Sequence, residues 1–187
     1  MPLFPSLPET AAVPDIWRRW PDHAQFLPKL SEAIMRGPSA FSPGERELIA
    51  AYASASNQCH YCFGVHSQTA RAFGIEEALL EKLMEDPAAA PVDARMKPVL
   101  AYVRKLTLEP ARMTQADADA VFAASWDEDA LHDAVMVCAL FNFMNRVVDG
   151  HGIGLEPALL KRRGVMIKEQ GYDRAGRIEA QENVDIN

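Results

Sequence analysis

Long apolar runs are missing from this 187-residue chain: none approaches the roughly 18 residues that cross a bilayer. Alternating β-branched stretches, the mark of strands, are missing too. Lysine and arginine total 19 against 26 acidic residues and are scattered rather than striped. A net charge of −7 without a basic patch argues against a nucleic-acid surface. Three cysteines are too few for a disulfide framework, and the chain is long enough to bury a core without one. The opening MPLFPSLPETAAVPD has neither a basic n-region nor an apolar h-region. A cytoplasmic protein with no membrane and no nucleic acid as partner is the expectation. In that reducing compartment a CxxC pair is more often catalytic or metal-binding than a crosslink.

What the chain does have is helix formers, Ala, Leu, Glu, Met, Arg and Gln, at 3.6-type spacing. The expectation is an all-α, single-domain helical bundle over residues 21–172. A proline-rich arm (1–20) precedes it, its first fifteen residues expected to wander over the surface, and a polar tail (173–187) follows. Helix is expected from Ile16 to Trp20 and from Pro21 to Met35, with Pro28 in the first turns or breaking the second. Ser42-Pro43-Gly44-Glu45 is the clearest helix start, a capping box with Pro at the first helical position. The helix it opens should run to about Gln58. A second should start near Cys59 and stop at Gly74. Further helices are expected before Pro87, from Asp93 to Leu108 and after Thr114. The longest apolar one, ALHDAVMVCALFNFMNRVV, should be nearly surrounded by protein and end in Gly150, Gly152 and Gly154, with a last helix after Glu156.

A weak internal repeat accompanies this pattern. A shift of 85 positions lays Ser42 on Asp127, Asn57 on Asn142 and His66 on His151, while Met144 and Val147 fall where the first copy has Cys59 and Cys62.

The chemistry concentrates in NQCHYCFGVH, residues 57–66. Glu47, Cys59, Cys62 and His66 are spaced so that one helical face carries both thiols and the imidazole. A free thiol is only about 3% thiolate at neutral pH, and the thiolate is the nucleophile. His66, four residues past Cys62, can take the proton, so Cys62 is the better-activated sulfur. Cys59, one turn earlier, can attack an oxidised Cys62 and close a disulfide. Glu47 reaches them only if the two helices fold back on each other, and burial there should raise its pKa and suit it to relay protons. Tyr61 and His60 point off that face, towards a substrate, a neighbouring helix or another subunit.

The pattern E-x11-C-x2-C-x3-H on an all-α chain resembles the alkyl hydroperoxidase D group of the carboxymuconolactone decarboxylase-like superfamily. The later FNFMNRVVDGHG is similar to a segment of its peroxidase-related branch. The resemblance implies an alkyl hydroperoxidase D-like bundle and a thiol-dependent peroxidase acting on hydrogen peroxide or an organic hydroperoxide. It implies Cys62 as peroxidatic, Cys59 as resolving and Glu47 with His66 as proton relay. It also implies a homo-oligomer, trimeric or hexameric. Tyr61 departs from the family, whose characterised members carry a histidine there. No nicotinamide or flavin motif occurs, so no cofactor is expected and electrons must come from an external dithiol or thiol reductant protein.

Two other readings stand beside this one. A decarboxylase or related lyase would keep the fold and use Glu47 and His66 for proton transfer. A zinc-binding or redox-sensing module would hold metal with Cys59, Cys62, His66 and a fourth ligand such as His60 or His151. Cys138, inside AVMVCALF, reads as a small buried apolar residue. Asn142, Asn145, Arg146 and Asp149 read as a buried structural network or a subunit contact.

Overall fold

The computed structural model describes residues 2–85, 90–154 and 156–182, and among them every regular element is helical. Helices α1 (Val13–Arg19), α2 (Pro21–Ala24) and α3 (Leu27–Arg36) lead into the hairpin of α4 (Pro43–Ser56) and α5 (His60–Ala72). After them come α6 (Glu77–Glu85), α7 (Met96–Leu108), a single 3₁₀ turn (Pro110–Arg112), α8 (Gln115–Ala123), α9 (Glu128–His151) and α10 (Pro157–Glu182). The expected helix from Pro21 to Met35 is two, because Pro28 cannot sit in a helix interior and takes a first-turn place in α3 instead. Residues 86–89 and 183–187, which include Pro87 and the end of the tail, lie outside the described residues.

Local signals set the central hairpin. Ser42 Oγ accepts the Glu45 N–H at 3.2 Å while the Glu45 carboxylate accepts the Ser42 N–H at 2.7 Å, which satisfies two donors at the start of α4. At the other end Gln58 takes a left-handed φ of 60°. Its N–H bonds to Ala55 O and the Cys59 N–H to Ser54 O, both at 2.9 Å, so α4 closes in a Schellman motif. That turn is three residues long, and it folds α5 straight back along α4.

Leu48, Ile49 and Tyr52 of α4 meet Val99, Val103, Val137 and Phe141 of α7 and α9 in the larger core. A second cluster forms around the start of α5, where Cys59, Tyr61, Cys62 and Val65 are covered by Leu7, Ala11 and Ile16. The N-terminal arm therefore does not wander over the surface. Its apolar side chains have a hydrophobic seat, and its end is pinned where Phe4 stacks on His151 (4.6 Å) and sits edge-on to Trp20 (5.6 Å). Leu3 N–H adds a bond to His151 O at 2.9 Å.

α9 alone among the described residues has the length and hydropathy to cross a membrane, and its inner face packs into the core. It is not surrounded, since His132, Ala139, Phe143 and Arg146 leave an exposed stripe. The shift of 85 has a physical counterpart. Ser42 and Asp127 both cap helix starts, and Asn57 and Asn142 hydrogen-bond to each other at 3.1 Å. The two segments differ where it matters chemically, because α9 runs unbroken through the positions at which α4 stops and α5 begins.

Candidate active site

Cys59 is the N-cap of α5, with φ −81° and ψ 94°, so it precedes the helix rather than lying on it. Cys62 falls three residues on, in the first turn, where the helix dipole is positive. Both thiols are free and buried, Cys59 completely and Cys62 at 3% exposure. The expectation that Cys62 is activated by its position is not met in this state. The adjacent Cys59 sulfur first, and burial second, hold the Cys62 thiol well above the usual range, while the Asn145 amide on α9 opposes them.

The hairpin brings Glu47 against His66. Glu47 Oε2 lies 2.7 Å from His66 Nδ1, in contact across 19 positions of sequence. Oε1 accepts from Arg36 Nη2 at 2.6 Å and from the Tyr172 hydroxyl at 2.7 Å. Glu47 is fully buried, and burial alone would raise its carboxyl as the sequence suggests. The hydrogen bond and charge of His66, with Arg36 and Tyr172 behind them, reverse the sign and leave it below the usual carboxylate range. An ionised carboxylate only accepts, so Nδ1 carries the hydrogen and Nε2 is the nitrogen left to exchange a proton. Phe141 packs edge-on against the imidazole at 4.3 Å and fixes its plane.

Tyr172 gets there through a glycine. Gly171 breaks α10 with φ 72°, and a Cβ at that position would meet Glu32 Oε2 at 2.5 Å. That carboxylate accepts the Tyr172 N–H at 2.6 Å, which swings the phenol back under α3 towards Glu47.

A pocket of about 120 Å³ opens onto Cys62 and His66. Trp17, Leu27, Val65, Leu140, Phe141 and Ile167 give it apolar walls. Cys59 is not in those walls. Tyr61 is, although helical geometry aims it off the Cys/His face, because the arm and α10 wrap the start of α5 and the pocket turns around it. His60 is exposed to solvent.

Among the described residues no cluster of three or more His, Cys, Asp and Glu side chains is arranged to hold a metal. His151 is occupied in the Phe4 stack, and its Nδ1–H donates to Val147 O at 2.7 Å. Cys138 is buried and touches Thr107 Oγ1 at 3.3 Å. The polar line of α9 is a buried network only in part: Asn145 accepts from Asn57 at 2.8 Å and donates to Ser54 at 3.0 Å, while Arg146, which donates to Asn142 O at 2.6 Å, and Asp149 are exposed.

Sequence reasoning missed Arg36 and Tyr172. Neither carries a spacing signal, since Arg36 ends α3 and Tyr172 lies far along the chain; only the GY pair, a breaker before an aromatic, marks the second.

No curated protein matches this chain by sequence. Residues 21–105 match the carboxymuconolactone decarboxylase family. Among solved structures, an uncharacterized peroxidase-related protein from Silicibacter sp. TM1040 is similar at 26% identity and a TM-score of 0.74, over 80% of this chain and 78% of that one. An alkylhydroperoxidase AhpD core, an uncharacterized peroxidase-related protein from Ralstonia eutropha JMP134, shares the fold at 21% identity and a TM-score of 0.73, over the same shares. The matched segment contains Glu47, Cys59, Cys62 and His66, so the part of the chain that resembles the carboxymuconolactone decarboxylase family is the part that carries the candidate site, and the fold around it is similar to that of solved peroxidase-related proteins.

Proposed function

We propose that this chain is a thiol-dependent peroxidase with Cys62 as its reacting sulfur and Cys59 as its resolving one. The observation that carries the reading is the division of the pair: Cys62 shares an apolar pocket with His66, while Cys59 is sealed behind it. The Cys62 proton passes to His66, whose charge Glu47 stabilises. The thiolate attacks the terminal oxygen of ROOH, the O–O bond breaks, and the proton returns to the leaving oxygen, giving Cys62–SOH and ROH. Cys59–SH then displaces water from the sulfenic acid to form the Cys59–Cys62 disulfide. An external dithiol reduces that disulfide to two thiols and is itself oxidised. The apolar walls favour an organic hydroperoxide over hydrogen peroxide, since burying its carbon skeleton contributes about 0.8 kcal/mol per methylene. We also propose a homo-oligomer, for which the exposed Phe143 on α9 offers an apolar contact.

Thiol titration before and after one equivalent of cumene hydroperoxide tests the reading. It expects two thiols lost per chain, recovered by dithiothreitol, and none lost in Cys62→Ser.

A proton-transfer lyase is the second reading, favoured by the high Cys62 pKa and by a Glu47–His66 pair that is complete without sulfur. Peroxide consumption that persists in Cys62→Ser sinks the peroxidase and leaves this one.

A further inference from the structure

Two cavities meet at Tyr61. The apolar pocket over Cys62 and a groove of about 1080 Å³ beside the N-terminal arm share Tyr61, Arg163, Met166 and Pro14 in their walls. Their characters differ. Among the described residues lining the groove, four arginines face three carboxylates, whereas the inner pocket is walled mainly by apolar side chains. Anything that reaches Cys62 from the groove passes these shared residues.

Tyr61 is 6% exposed, and its hydroxyl is buried with no hydrogen-bond partner among the described residues. Buried tyrosines ordinarily find a partner, because an unsatisfied hydroxyl costs on the order of 1–3 kcal/mol. Replacing it with Phe would remove that cost, and the hydroxyl stands as an unused donor for a ligand atom at the neck. The Arg163 guanidinium lies over the Tyr61 ring, 5.6 Å from its centre, which places a cation at the neck. A planar guanidinium offers paired donors to a carboxylate, and a phenol adds a third.

We propose that Tyr61 and Arg163 form a carboxylate-binding pair at the neck. The ligand of this site is then an amphipathic organic acid, with its apolar part inside against Trp17, Leu140 and Ile167 and its carboxylate between the two side chains. Taken with the peroxidase reading, on which it rests for the reacting group alone, the substrate is the hydroperoxide of an apolar carboxylic acid. The departure at Tyr61 from the family's histidine is on this account a substrate determinant.

Binding tests this without peroxide. On the full, reduced chain, decanoate is compared with decan-1-ol by calorimetry and by protection of Cys62 from iodoacetamide. Decanoate is expected to bind at least about tenfold more tightly, the scale of one hydrogen bond to a charged group, and to slow Cys62 alkylation. Tyr61→Phe and Arg163→Gln should each reduce the decanoate-to-decanol ratio about tenfold, with Arg163→Lys retaining part of it. Equal affinity for acid and alcohol, or a decanoate preference untouched by both substitutions, overturns the proposal. Decyl phosphate binding more tightly than decanoate overturns the assignment to a carboxylate. None of these readouts uses turnover, so peroxide consumption surviving in Cys62→Ser would remove the peroxidase and leave the carboxylate site standing.

Discussion

Tyr172 donates its hydroxyl to Glu47 Oε1 at 2.7 Å, although 125 positions of sequence separate them. The bond joins the last helix to the first residue of the candidate relay, and it ends on a buried charge. Tyr172→Phe should therefore cost about 1.5–3 kcal/mol, the range for hydrogen bonds to charged groups. The measurement is a urea midpoint, lowered with an unchanged slope. A midpoint within error of the wild type would mean that the phenol is a spectator.

Glu47→Gln should destabilise more, by about 3–5 kcal/mol, because Arg36 is then left in a nearly dry site without its counter-charge. The pH dependence follows from the depressed carboxyl. A group whose folded pKa lies below its unfolded value stabilises fully above the unfolded pKa, about 4.3 for Glu. That stabilisation is lost as pH falls through the folded value. Wild-type stability should thus drop on acidification from about pH 5, and the drop should be smaller in Glu47→Gln. Parallel pH curves for the two proteins would contradict the assignment.

The thiol behaves in the opposite sense. With Cys59 and burial both holding the Cys62 proton on, alkylation of Cys62 should be slow near neutrality and rise only in alkaline solution. Cys59→Ser removes the largest of the causes and replaces a thiol neighbour with a hydroxyl that can donate to the thiolate. The alkylation profile of Cys62, followed by mass spectrometry against pH, should then move to lower pH. A shift to higher pH would reverse the cause assigned to Cys59.

How far the chain announces all this can be judged residue by residue. Ser42, Glu45, Gly74 and Asp127 act within a turn of themselves, so the limits of α4, α5 and α9 were legible. The Glu47–His66 contact was legible because one hairpin converts their spacing into proximity, and Cys62 meets His66 in the same pocket. The direction of the Glu47 shift was not, since burial and counter-charge oppose each other and the latter arrives from Arg36 and Tyr172 on other helices. Proline content suggested a loose arm. It could not show that Leu7, Ala11 and Ile16 have an apolar seat, because the seat is made by α5 and α10.

Gly171 should tolerate a side chain poorly. Its φ of 72° strains any side chain, and a Cβ would also strike the Glu32 carboxylate that holds the Tyr172 N–H. Gly171→Ala must move one or the other, and either movement withdraws the phenol from Glu47. The cost should be at least about 1 kcal/mol from the backbone, plus whatever Tyr172 contributes. The second part makes the prediction specific. If Gly171 acts by placing Tyr172, the effects of Gly171→Ala and Tyr172→Phe overlap, and the double variant loses less than their sum by about 1 kcal/mol or more. Strict additivity in the denaturation cycle would show that the glycine serves the backbone alone.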